Sequence, residues 1–289
     1  MTPLRGIAPL AAALWLQASA FHAETRLVVL HATVRNGRGE LVTNLDRAAF
    51  TVYENGTRQP IVLFRRDDIP ASLGILIDNS GSMRAVRARV EAAALAFARA
   101  SNPQDEVFVL NFADKVHVDV PFTSDRAVLE AGIARVDSIG GTAMRDAVEA
   151  GEAYLDQHAI RERKALLVIT DGNDNASTAP LDRIRDTAER HDIVIYAIGL
   201  FDDPARAATA HRELDHLADR TGGMAYYPPS VEAVDEVALD IARQIRQQYT
   251  LAYTPVNQAL DGSYRAIRLT VAGPERFSVR TRAGYRARE

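Results

Sequence analysis

Three stretches of this chain are apolar at nearly every position: SLGILID (72–78), KALLVITDG (164–172) and DIVIYAIGL (192–200). A strand with one face in water alternates polar and apolar residues. A continuous apolar run bounded by polar residues fits a strand covered on both faces. Around these runs lie segments with apolar residues at helical spacing: the Ala-rich MRAVRARVEAAALAFARA (83–100), then DRAVLEAGIARV, TAMRDAVEAGEAYLDQH, LDRIRDTAERH, HRELDHLADRTGG and SVEAVDEVALDIARQIRQQY. Strands that alternate with helices argue for βαβ units and a mainly parallel sheet with helices on both faces. The expected class is α/β, a Rossmann-like doubly wound sheet. DEVFVLNFAD (105–114) and VHVDVPF (116–122) are joined too closely for a crossover, which predicts one antiparallel pair. MAYYP reads as a short strand.

The flanks of this core are β-rich. The N-terminal one (25–67) holds RLVVLHATV, FTVYE and PIVLF, with ENG as an Asn-Gly hairpin signal. The C-terminal one (249–289) holds YTLAYT, YRAIRLTV and FSVRT. Neither can stand alone, because two or three isolated strands are marginal in water. No Pro/Gly/Ser linker separates either from the core at 70–248. The expected arrangement is one small β-sandwich built from both flanks and placed opposite the site described below.

The first twenty residues differ in kind. MTPLRGIAPLAAALWLQASA has one cation, Arg5, an apolar stretch from about Ile7 to Leu16, and an A-x-A sequence at Ala18–Ala20. That is signal-peptide architecture, with cleavage after Ala20 or alternatively after Ala23. The stretch falls short of the ~20 residues that span a bilayer, so an uncleaved anchor is the lesser reading and no span is expected after cleavage. Export to the periplasm or the exterior follows. The chain has no cysteine, which excludes disulfides, thiolate metal sites and cysteine nucleophiles. A net charge of -4 without a Lys/Arg run gives no reason to expect nucleic acid.

In an open α/β sheet, ligands sit beyond the C-terminal ends of the strands. Asp78 ends the first apolar run, and Ser80 and Ser82 lie on the turn that follows. Asp171 ends LLVITD, and Thr142 sits in the glycine loop SIGGTAMRD that opens a helix. Five oxygens can therefore converge on one rim. Two carboxylates and three hydroxyls make a hard donor set, suited to Mg²⁺, Mn²⁺ or Ca²⁺ and poorly suited to zinc or copper. Neutral hydroxyl ligands leave a cation enough charge to attract an external anion.

Asp78-x-Ser80-x-Ser82, Thr142 in GGT and Asp171 in TDG, in this order and spacing, resemble the metal-ion-dependent adhesion site of von Willebrand factor A domains, over residues 70 to 250. The resemblance implies that Ser80 and Ser82 bind a metal directly and that Thr142 does so when a ligand engages. It implies that Asp78 and Asp171 act mostly through water or by holding the serines. The open position would take an Asp or Glu carboxylate of a partner protein. YENG ahead of ILIDNSGSM, with YRAIRLTV and VRTRAGY at the end, is more loosely similar to a group of predicted secreted bacterial proteins with such a core.

Other residues have plainer readings. Asp174 in TDGNDNAS could serve a second calcium, but Asn/Asp/Gly clusters are more often turns. His211 and His216, five apart on one helix, are poorly spaced for a shared metal and read as surface; His117 reads as structural or exposed. Met83 and Met224 read as packing, and Tyr226-Tyr227-Pro228-Pro229 as a strand end. A P-loop lysine, GxSxG, HExxH and DxDxT are absent from the sequence. The expectation is an exported, non-enzymatic, metal-dependent protein-binding module. The alternatives are a metal-assisted hydrolase or a scaffold with a vestigial site.

Overall fold

The computed structural model describes residues 27–134, 139–171, 174–201 and 204–288. The expected leader at 1–20 and part of the TDG loop (172–173) lie outside these residues. The N-terminal flank forms β1 (Val28–Arg35), β2 (Phe50–Glu54), β3 (Thr57–Gln59) and β4 (Ile61–Arg65). The centre begins with β5 (Ala71–Asp78), α1 (Arg87–Ala100), β6 (Glu106–Phe112), β7 (Val116–Thr123) and α2 (Arg126–Ile133). It continues through α3 (Met144–His158), β8 (Arg163–Thr170), α4 (Leu181–His191), β9 (Ile193–Gly199), α5 (Pro204–Thr221), β10 (Ala225–Tyr226) and α6 (Val231–Arg246). The C-terminal flank forms β11 (Tyr249–Tyr253), β12 (Tyr264–Val271), β13 (Ser278–Arg280) and β14 (Gly284–Arg286).

The central sheet has the order β7-β6-β5-β8-β9-β10. All neighbours are parallel except β6 and β7, which form the expected antiparallel pair. Every residue of β5 and β9 is buried, which is why those segments read as unbroken apolar runs. Helices α1, α2 and α6 close one face through Val90, Phe97, Leu129 and Ile241. Helices α3, α4 and α5 close the other through Met144, Leu155, Ile184 and Leu214. The chain winds outward from β5 to β7, then returns to start β8 on the opposite side of β5. The winding direction therefore reverses between β5 and β8, where a doubly wound sheet opens its binding crevice.

The two flanks are interleaved rather than side by side. One sheet runs β13-β1-β11-β4 and the other β14-β12-β2-β3, so each contains strands from both ends of the chain. Leu30, Val52, Leu251, Tyr253 and Tyr285 fill the space between them. Glu54 is buried there and accepts hydrogen bonds from the hydroxyls of Tyr253 (2.8 Å) and Tyr285 (2.9 Å). The ENG hairpin joins β2 to β3, with Asn55 at φ 48° and Gly56 at φ 80° as the tight two-residue turn requires.

The sandwich is tied to the start of the central strands. Arg163, the first residue of β8, is 1% exposed; it donates to Ile245 O at the end of α6 (2.6 Å) and to Thr250 Oγ1 in β11 (3.3 Å). Arg35 pairs with Asp240 of α6 at 2.6 Å. The sandwich thus occupies the end of the sheet away from Asp78 and Asp171.

Two elements differ from the sequence reading. A tight 3-10 turn, Gly81–Val86, precedes α1, because Ser80 and Gly81 are held by bonds outside the helix. Helix α5 begins at Pro204 rather than His211, since proline with φ near -65° suits the first helical position.

Candidate metal site

Asp78 is the last residue of β5 and is wholly buried. Its Oδ1 accepts the backbone N–H of Ser80 at 2.8 Å, and its Oδ2 accepts the Thr170 hydroxyl of the neighbouring strand at 2.6 Å. These bonds turn the chain so that the Ser80 and Ser82 hydroxyls lie 3.0 Å apart. Ser80 is buried and Ser82 is exposed, which makes the pair a floor and a lip.

The glycine loop reaches the same turn through its backbone: Gly81 N–H donates to Gly140 O at 3.1 Å. Thr142 is 1% exposed, and its N–H donates to Asn175 Oδ1 at 3.0 Å. Asn175 and Ala176 N–H both return to Thr142 O, at 3.0 and 3.1 Å. Asp114, just beyond β6, accepts the Gly141 N–H at 2.7 Å. A Cβ on Gly140 would lie 2.3 Å from Asp114 Oδ2, and Gly140 has φ 98°, so both contact and conformation demand glycine.

Asp171 follows Thr170 directly at the end of β8 and is half-buried. Burial pushes the Asp78 carboxyl up to about 6 against the hydrogen bonds from Thr170 and Ser80, and the charge of Asp171 adds to the rise. Two acids and the serine turn therefore meet at one rim, with the Thr142 loop bonded to that turn. A hard cation fits this donor set, because it would offset the burial of the Asp78 charge. Among the described residues, no group of three or more His, Cys, Asp or Glu side chains could hold a metal. Any cation here must draw on hydroxyls.

Asp174 does not face this rim as a spare ligand. Its side chain is 1% exposed and accepts from Arg145 N–H (2.8 Å), Ser177 Oγ (2.7 Å) and the Arg145 guanidinium (3.3 Å). Burial alone would raise its pKa, yet these bonds hold it below the ordinary value. It is a brace for the start of α3, in line with the turn reading.

The other singled-out residues are placed plainly. Met83 is fully buried and His117 and His216 are exposed. His211 is not a simple surface residue: its ring stacks on Tyr227 at 3.8 Å and meets Phe201 at 4.6 Å, because β9 and β10 end beside α5. Tyr226 lies in a network with Asp240, Arg35 and Gln244.

Thr170, Asp114 and Asn175 escaped the sequence reading. Their one signal is position, since each lies at or just beyond the C-terminal end of a central strand.

A reversing parallel sheet with this rim at its crevice defines a class. Residues 73–173 match the sequence profile of the von Willebrand factor type A domain, and the chain carries a domain of that family. No functionally curated protein matches it in sequence. It is similar in fold to a von Willebrand factor type A protein from Catenulispora acidiphila. The TM-score is 0.54 at 12% identity, over 91% of this chain and 75% of that one. It is similar also to proximal thread matrix protein 1 of the mussel byssus, solved with a zinc-occupied MIDAS motif. There the TM-score is 0.51 at 19% identity, over 67% of this chain and 50% of that one. The von Willebrand domain of the type V pilus tip protein Mfa5 from Porphyromonas gingivalis matches with a TM-score of 0.50 at 14% identity, over 62% of this chain and 97% of that one. At these identities the likeness speaks for the fold. No helix among the described residues is long and apolar enough to cross a membrane.

Proposed function

We propose that the chain is an exported protein-binding module whose rim holds a divalent cation, Mg²⁺ foremost, and docks an Asp or Glu carboxylate of a protein partner. Residues 1–20 serve as leader, 70–248 as the binding domain, and 25–67 with 249–289 as its supporting sandwich. Ser80, Ser82 and Thr142 supply hydroxyl ligands, and Asp78 and Asp171 supply charge and hold the serine turn. The carrying observation is the convergence of the Asp78–Ser80–Ser82 turn with the Thr142 loop at the switch point of the sheet. The cation would supply a Lewis-acidic position for the incoming carboxylate. Ile139, 71% exposed beside Gly140, offers the partner an apolar contact next to it.

Calorimetry with Mg²⁺ tests the reading. Asp78→Ala abolishes the binding isotherm while the fold persists, because the residue ends β5 and its carboxylate holds the Ser80 turn and the Thr170 hydroxyl rather than filling the apolar core. Equal Mg²⁺ affinity in wild type and variant would falsify the assignment. A pull-down with Mg²⁺ against EDTA, with Ser80→Ala/Ser82→Ala as control, reads the partner. Metal-independent capture would point to a scaffold, and turnover of a phosphoester by wild type alone to a hydrolase.

A further inference from the structure

A second concave region lies at the opposite end of the molecule from the rim. It is a cleft of about 1380 Å³ between the last turn of α4 and the segments 255–260 and 282–288 of the sandwich. Small-molecule sites usually measure ~300–1,000 Å³, so the space suits an extended chain better than a metabolite. Clefts at the junction of two structural units are also common binding sites.

Its walls differ in character. One is apolar and open, with Leu27 48% exposed and Leu260 50% exposed beside Pro255. The amides of Asn257 and Gln258 stand on the same loop. The other wall is basic, with Arg190, Arg282, Arg286 and Arg288. The three acids of that wall are already paired. Asp192 meets Arg282, Asp186 lies 3.6 Å from Arg286, and Glu189 lies 3.4 Å from Arg220. Arg190 and Arg288 are exposed and have no ion-pair partner among the described residues. Among the described residues the cleft therefore presents two positive charges without a paired acid, on a chain whose net charge is -4.

We infer that this cleft binds an extended acidic segment of a partner protein, independently of the metal rim. Two guanidiniums match two carboxylates along such a segment, the amides match its backbone, and Leu27 and Leu260 match an apolar side chain between the acids. A flat lipid surface cannot enter a concave site, and a nucleic acid meets a net negative protein. Asp192 precedes β9 at the level of Arg163 and Asp171 follows β8, eight residues further on, so the two sites lie about 26 Å apart along the strands. One partner that bridged both would gain avidity without any new contact.

The test uses the full chain and a fluorescent decaglutamate peptide, read by anisotropy at about 50 mM salt. Wild type binds in EDTA, where the rim can hold no cation, and under that condition binding is unchanged in Ser80→Ala/Ser82→Ala, which separates this site from the rim. Arg190→Glu/Arg288→Glu weakens it about tenfold, and Arg190→Gln/Arg288→Gln weakens it less. Arg65→Glu/Arg66→Glu, the same change of net charge on β4 and just beyond it, leaves it nearly unaltered. Circular dichroism establishes that each variant is folded. The inference is overturned by any of three results: no decaglutamate binding, loss of binding in EDTA, or equal weakening by both charge reversals. It is also overturned if the cleft variant abolishes phosphatidylglycerol vesicle binding or self-association while decaglutamate binding persists.

Discussion

Thr170 Oγ1 donates to Asp78 Oδ2 at 2.6 Å across two adjacent parallel strands. The bond joins the two halves of the winding at the point where its direction reverses. It satisfies one oxygen of a buried carboxylate while Ser80 N–H satisfies the other. Thr170→Val keeps the shape and removes the donor. An unsatisfied buried acceptor costs about 1–3 kcal/mol, so the variant loses that much stability in denaturant titrations. Its Mg²⁺ affinity falls about tenfold, the order expected when a group that orients a ligand is removed. Unchanged affinity with lowered stability would restrict Thr170 to a structural role.

Among the described residues, the hydrogen bond that ties Asp114 to the site runs to the backbone N–H of Gly141. Asp114→Ala frees the glycine loop and lowers divalent affinity by several-fold, an effect in the low range of ~10–100-fold for outer groups. Asp114→Asn retains an acceptor and recovers most of the loss. A variant pair with affinities identical to wild type would show that the loop is held without Asp114, by Asn175 and by the backbone bonds at Ile139, Gly140 and Ala143.

Glu152 of α3 is fully buried, and neither carboxyl oxygen has a hydrogen-bond partner among the described residues. Burial, followed by the nearby Glu149 charge, pushes its pKa up to about 9. The native state thus keeps a proton that the unfolded chain releases near its usual value of 4.5. Stability from this group is fully present below that value and is lost as pH rises toward about 9. Glu152→Met removes the penalty. The gain in thermal stability is small at pH ~5 and reaches about 2–4 kcal/mol near pH ~8. An equal gain at both pH values would assign the effect to packing alone.

The strands of the flanks depend on one another. Cutting the chain after Gln248 removes β11 and β12, the partners of β1, β4 and β2. Hydrogen exchange then shows lost protection in residues 28–65, although they remain in the chain. Retained protection there would mean that the N-terminal flank folds by itself.

Much of the centre was legible in the sequence because its strands are buried on both faces. An apolar run that ends in Asp78 or Asp171 announces both a covered strand and a polar rim, and the glycine loop before Thr142 announces a tight approach. The five rim residues share one property that sequence order preserves: each lies at the end of a strand or the start of a helix. The ENG turn was equally plain, since positive φ at two successive positions restricts the residues that fit. Tertiary structure alone decided the rest. Pro60 separates β3 from β4, and the two belong to different sheets; residues 281–283 do the same for β13 and β14. The split follows from the partners: β3 and β14 pair with the nearby β2 and β12, whereas β4 and β13 pair with β11 and β1, roughly two hundred residues away. Thr170, Asp114 and Asn175 are ordinary polar residues until the sheet aligns β5, β6 and β8 side by side. The cleft beside Arg190 and Arg288 exists only because the end of the chain packs against α4. Local residue pattern sets which segments are strand, helix and rim; the packing of distant segments sets which groups meet there.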